Sequence, residues 1–190
     1  MSHRRNRFLW KEASYGGGTG TSVAPAVNKV AADLNRESMA DKLTFMMGEY
    51  AAEFPTDRQY ARNHMWALPV GDHGYRFGFA AYAVRLLQDV YFLDWDIAAS
   101  TALTERQEIG QIESQKAEAS LYAPISGTLT AINETVLKDP SAINVDTYND
   151  GWLFEITGDG SGLFNPAEYL KHLTAVWEVT QRTIKGQMNG

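Results

Sequence analysis

Cysteine is absent from the 190 residues, which excludes a disulfide scaffold, a thiolate nucleophile and any cysteine-ligated metal. Thiol chemistry would need sulfur from an attached group. Nor is there an apolar run of ~18 residues, the length a spanning helix requires. The start carries Arg4, Arg5, Arg7 and Lys11 but leads into Gly16-Gly17-Gly18-Thr19-Gly20. Such a start does not fit a secretory signal. The expected compartment is the cytoplasm, with the mitochondrial matrix the weaker alternative. Catalytic signatures are missing too: no Gly-x-Ser-x-Gly elbow, no His-Glu-x-x-His, and no Lys-Ser/Thr ending to the glycine run. His3, His64, His73 and His172 lack zinc-ligand spacing and read as ordinary loop or core histidines, so no metal is expected. Carboxylates are too numerous for any pair to signal an acid–base couple. An enzyme acting alone is not expected.

What is present divides unevenly. Seventeen basic against twenty-three acidic side chains give a net charge of −6 and a pI near 5.2, which argues against nucleic-acid binding. Between Asp89 and Ser120 stand seven acids (Asp89, Asp94, Asp96, Glu105, Glu108, Glu113, Glu118) against Arg106 and Lys116. With 44% hydrophobic residues, most of the chain is expected to fold around a real core. Residues 1 to about 36 are polar and Gly-rich without a sustained period, the composition of a mobile segment. Ser38-Met39-Ala40-Asp41 then resembles a capping box, and Met39, Leu43, Met46, Met47, Tyr50 and Phe54 recur at helical spacing. This predicts one amphipathic helix over about 38–53, ended by Pro55. The domain organisation expected is an extension over 1–53, a folded domain over 54–174 and a helix end and tail over 175–190.

From Tyr75 the period becomes two. Strands are predicted over Tyr75 to Phe79, Val90 to Leu93, Ile109 to Ser114, Ser120 to Ala123, Thr128 to Asn133 and Trp152 to Thr157, with a short helix from Ala81 to Leu87. Asn165-Pro166 opens a closing helix carrying Tyr169, Leu170, Leu173, Val176 and Trp177. Many short strands with marginal helices imply a mainly β barrel or sandwich.

One segment stands out, running from Gly110 to Gly127. Strand patterns flank a polar centre, and Lys116 is the only lysine for twenty residues either way. A lysine at a hairpin tip projects beyond both strands, although from pattern alone the plainer reading is a solvated surface lysine. The residues Glu113-Ser114, Lys116-Ala117, Leu121-Tyr122, Pro124 and Ser126-Gly127 resemble the lipoyl-lysine hairpin of the glycine cleavage system H protein family. Downstream, Asn133-Glu134, Pro140, Ile143-Asn144, Asp146, Tyr148, Gly151-Trp152 and Glu168-Tyr169 extend the likeness. Upstream, Arg58, Tyr60, His64, Trp66, Gly78 and Tyr82-Ala83 do the same. A biotin carrier would show Met-Lys-Met, which Gln115-Lys116-Ala117 does not.

The resemblance implies a lipoyl-type hybrid barrel-sandwich of two small antiparallel sheets with short flanking helices. It also implies a non-catalytic, monomeric carrier with lipoate in amide linkage on Lys116. Glu113, Ser114 and Ala117 would present the hairpin to a lipoyl-attaching enzyme, and Gly127 would permit the turn that follows. The partners implied are glycine decarboxylase, an aminomethyltransferase and dihydrolipoyl dehydrogenase, between which the arm shuttles an aminomethyl group, with neither nucleic acid nor membrane involved. The arm-cleft positions are His64, Met65 and Ser120. Two of these depart from the family: Met65 follows His64 where Glu is usual, and Ser120 stands four residues after the lysine where Asp is usual. Ala119, Ala81 and Leu86 also replace more polar residues. Without those carboxylates a cationic load gains no offset for its desolvation. Two alternatives therefore stay open: an H-like lipoyl carrier with other cargo (a lipoate relay, or sulfur for heterodisulfide-reductase-like partners), and an unmodified interaction protein on the same fold.

Overall fold

A computed structural model describes residues 41–188. The expected mobile segment and the first residues of the helix expected over 38–53 lie outside them. The rest of that helix is corrected, because the segment is a β-hairpin. Strand β1 (Lys42–Met47) pairs antiparallel with β2 (Tyr50–Pro55), with Met47 opposite Tyr50 and Lys42 opposite Pro55. Gly48 at the turn has φ +69°, the left-handed conformation that glycine adopts freely and that a two-residue hairpin turn uses. The burial alternates with period two. Leu43, Phe45 and Met47 face inward with Ala52 and Phe54, while Met46 and Tyr50 are exposed. Apolar residues three and four apart mimic a helix here because the turn shifts the phase between two strands.

Nine further strands form two antiparallel sheets. The larger has the order β3 (Gln59–Tyr60), β4 (Met65–Val70), β5 (Gly74–Phe79), β11 (Trp152–Gly158), β10 (Gly127–Ile132), β7 (Ala102–Leu103). The smaller has the order β6 (Val90–Trp95), β8 (Glu108–Ser114), β9 (Glu118–Tyr122). The mainly β class with short flanking helices is as the sequence predicts, and among the described residues the strands do not close into one ring. Phe77, Phe154, Ile156 and Leu129 of the larger sheet pack in one core with Leu93, Ile109, Ile112 and Leu121 of the smaller. Burying these side chains is the main stabilising term of the fold.

Strand β4 shows no alternation because both of its faces are covered. Met65 and Ala67 belong to the core between the sheets, whereas Trp66 belongs to a second core with Phe54, Tyr60, Tyr82, Tyr169 and Leu173. Helix α1 (Ala81–Leu87) has no side-chain cap of its own. Its Ala81 N–H instead donates to the Tyr148 hydroxyl (3.0 Å), which donates to Glu53 O (2.7 Å), so one tyrosine ties the helix to β2. Two short helices, α2 (Glu134–Lys138) and α3 (Ala142–Val145), lie between β10 and β11. Helix α4 (Pro166–Met188) starts with a reciprocal cap: Glu168 N–H donates to Asn165 Oδ1 and Asn165 N–H to Glu168 Oε2. Its Tyr169 stacks on Tyr60, centroids 4.6 Å apart.

Candidate functional site

The β8–β9 hairpin presents Lys116. Ser114 is the last residue of β8 and is 5% exposed. Its Oγ donates to Ala117 O (3.0 Å) and lies 3.2 Å from the Ala117 N–H, while its own N–H donates to Ala117 O (2.9 Å). A hydroxyl is the smallest side chain that can do this, acting as both donor and acceptor. The two residues spanned, Gln115 and Lys116, are exposed. Gln115 N–H donates to Asp89 O (2.9 Å), which pins the tip to the segment after α1. Asn144 of α3 holds that segment in turn: its Nδ2 donates to Gln88 O (2.7 Å) and its Oδ1 accepts from Val90 N–H (3.0 Å). The tip is thus fixed by backbone contacts on both sides, while the Lys116 side chain makes no ion pair among the described residues. Such an amine is accessible and unspent.

Glu113 and Glu118 pair directly across the hairpin, so two like charges flank the lysine. Opposed carboxylates destabilise a strand pair slightly. Exposed Tyr91 (62%) and Phe92 (43%) lie on the neighbouring strand, where Phe92 is opposite Glu113. These aromatics, Asn144 and the tip bond of Gln115 were not singled out as site residues by sequence reasoning. Asn144 stood within the family-like segment, but nothing in its spacing revealed its clamp.

The remaining expected site residues have separate surroundings. Ser120 lies on the outer face of β9, its hydroxyl donating to Glu108 Oε1 (2.6 Å). Met65 is 1% exposed within the core, its sulfur 3.7 Å from Asn63 Nδ2. His64, in the turn before β4 with φ +64°, faces α1 and α4: Nδ1 is 3.1 Å from the Tyr169 hydroxyl, and its ring lies 4.6 Å from Tyr82 and 5.7 Å from His172. Burial, helped by the neighbouring His172, lowers its pKa to about 4, so the ring is neutral at neutral pH. Gly127 follows the turn at Pro124–Ser126 and opens β10, where it pairs with Gly158 and Leu103. A Cβ there would collide with the Thr157 carbonyl oxygen. The requirement for glycine is thus the close approach of β10 to β11.

Of the other family-like residues, several form one structural cluster. The Arg58 guanidinium lies over Trp66 (5.0 Å) and Tyr148 (5.2 Å) and donates to Tyr148 O (2.8 Å), while Trp66 Nε1 donates to Thr147 O (2.9 Å). They hold the large sheet to the segment after α3, and their role is packing. Among the described residues no group of His, Asp and Glu could hold a metal ion, and no helix is long and apolar enough to cross a membrane.

Residues 58–181 match the glycine cleavage H-protein family. The glycine cleavage system H protein of Pseudoalteromonas atlantica is 37% identical over 109 residues, 57% of this chain and 83% of that protein. That of Mycolicibacterium gilvum is 36% identical over 113 residues, 59% of this chain and 85% of the relative. A crystal structure of a glycine cleavage system H protein from Mycobacterium marinum superposes with a TM-score of 0.53 at 29% identity, covering 61% of this chain and 95% of that one.

Proposed function

Since the chain belongs to the glycine cleavage H-protein family, we propose that it is a lipoyl carrier with Lys116 as the attachment residue. The observation that carries this reading is the state of Lys116: exposed, outside every ion pair of the described residues, and held out by a turn that Ser114 locks and Asp89 O anchors. The site fits the group, because amide formation needs a reachable amine and neutralises it, and no carboxylate here depends on that charge. The dithiolane of such an arm supplies the disulfide–dithiol couple that a cysteine-free chain lacks. Glu113, Ser114 and Ala117 present the turn to the lipoyl-attaching enzyme. The fixed tip makes transfer effectively intramolecular once a partner docks, the partners being glycine decarboxylase, aminomethyltransferase and dihydrolipoyl dehydrogenase. The protein holds and presents; the partners do the chemistry, in the cytoplasm.

A second reading keeps the carrier and changes the cargo. It is supported by Ser120, which stands where the family usually has a carboxylate and whose hydroxyl is already spent on Glu108. Intact mass of protein from its native host, with peptide sequencing, tests the common premise: a lipoyl adduct on Lys116 is expected, and a bare lysine would favour an unmodified interaction protein. Glycine–bicarbonate exchange with decarboxylase then separates the two carriers, activity supporting the aminomethyl cargo and inactivity the other.

A further inference from the structure

A cavity of about 730 Å³ opens at the base of the β8–β9 hairpin, lined by Arg62, Asn63, Glu105, Arg106 and Tyr122. Its charge runs against its surroundings. In a chain of net charge −6, two arginines line it, and neither makes an ion pair among the described residues. Arg62 is steadied by the Phe164 ring, 4.9 Å from its Cζ. Arg106 sits at φ +68°, a left-handed conformation that a side chain with a Cβ adopts only at a cost. Glycine would be the relaxed choice at that turn. Of the nearby acids, Glu105 is the one lining the cavity, and the Glu108 carboxylate is engaged by Ser120. Asn63, whose Nδ2 holds Tyr122 O at 3.0 Å, leaves its own Oδ1 buried without a partner.

The cavity also lies on the route an arm would take. Glu118, Ser120 and Tyr122 share the outer face of β9, so a chain anchored at Lys116 and running down this face arrives at Tyr122. We infer that the cavity is an anion subsite in which Arg62 and Arg106 hold a carboxylate or oxyanion borne at the end of an arm on Lys116. The inference rests on the reading of Lys116 as the anchor and, because an aminomethyl load is cationic, on the second reading of the cargo. The planar forks of two arginines suit the paired oxygens of such a group.

Two charged and neutral probes of similar size test it. In the lipoylated protein, the reduced arm is alkylated at its thiolates with iodoacetate or with iodoacetamide. Each of the two thiolates displaces iodide from carbon, leaving either two carboxylates or two neutral amides at the arm's end. The carboxymethyl form is expected to melt about 2–4 °C above the carbamidomethyl form, the shift that one added charge contact gives a domain of this size. It should also move the ¹⁵N resonances of Arg62 and Arg106. Both differences should vanish in Arg62→Gln. Arg106→Gly should lose them too while melting higher than the parent, because it relieves the left-handed residue. A second arm titrates the unmodified chain with sodium sulfate at constant ionic strength. Saturable shifts at both arginines, weakened about tenfold in either variant, support the anion site itself; with a Lys116 that is never lipoylated they would leave that site without an arm and overturn the inference as stated. Coincident melting of the two adducts, with arginine resonances unmoved by adduct or sulfate, overturns the subsite and leaves the carrier reading standing.

Discussion

Two hairpins of this protein share antiparallel pairing and a two-residue turn but do opposite things with their side chains. β1–β2, which precedes the family match over 58–181, turns Phe45, Met47, Ala52 and Phe54 inward against Tyr82, Tyr169 and Trp177. β8–β9 buries one face on the sheet core and sends Lys116, with Glu113 and Glu118 behind it, towards solvent. Their turns differ accordingly. Gly48 supplies a left-handed φ at one tip, whereas the other has no left-handed residue and is closed by the Ser114 hydroxyl. The first hairpin spends its side chains on stability and the second holds one in reserve. Both also border one cavity of about 390 Å³, which Tyr50 of β2, its ring under the Arg85 guanidinium (4.7 Å), lines together with Asp89 and Gln115.

Removing one side chain from each hairpin should separate these roles most sharply. Phe54 is fully buried and makes edge contacts with Tyr60 and Tyr169, so Phe54→Ala should cost about 3–5 kcal/mol in denaturant unfolding. The same substitution should leave lipoyl attachment intact in whatever fraction stays folded. Lys116→Arg should do the reverse, abolishing the mass adduct while shifting stability by less than about 0.5 kcal/mol. A large stability loss from Lys116→Arg would break the comparison.

How much of this was legible in the sequence follows the same division. β5 was readable because Tyr75, Phe77 and Phe79 alternate with Arg76 and Gly78 in the sequence, although Gly78 is buried as well. β4 was not, because Met65, Trp66 and Ala67 serve two cores in succession and show no alternation. β1–β2 read as a helix because residues spaced three and four apart straddle a turn, although Leu43, Phe45 and Met47 followed by Gly48 held the correct signal. At the site, Lys116 was legible only through the likeness of its neighbours to a family, since pattern alone favours an ordinary surface lysine. Interactions between distant segments, such as Asn144 with Gln88 and Val90, have no local period to betray them.

The buried region should also respond to acid. His64 has a folded pKa of about 4 against an ordinary 6.5. The unfolded chain therefore binds this proton first as pH falls. The contribution is complete above about pH 6.5 and is lost between there and pH 4, on the order of 3 kcal/mol in all. His64→Asn keeps a residue that tolerates the left-handed φ and removes the titration. Its stability should fall less steeply than the parent's across that window in urea melts, and parallel curves would remove His64 as a source of the slope. Ser114→Ala should have a smaller effect, about 1 kcal/mol from the lost turn bonds. It should also slow lipoyl attachment, and Ser114→Thr, which retains the hydroxyl, should restore the rate.

The smallest effect expected concerns the charges behind Lys116. Glu113 and Glu118 face each other across the strands, so Glu113→Lys alone converts a repulsive pair into an attractive one. The hairpin should gain a few tenths of a kcal/mol. Reversing both leaves like charges opposed and stability nearly unchanged, which makes the double variant the cleaner probe of recognition. If this acidic face steers the turn towards basic surfaces of the attaching enzyme, the double variant should be modified several-fold more slowly at low ionic strength. The difference should shrink near 0.15 M salt, where screening acts over about 8 Å. Equal rates at low salt would show that Ser114 and the anchored backbone of Gln115 present the lysine without help from the charges beside it.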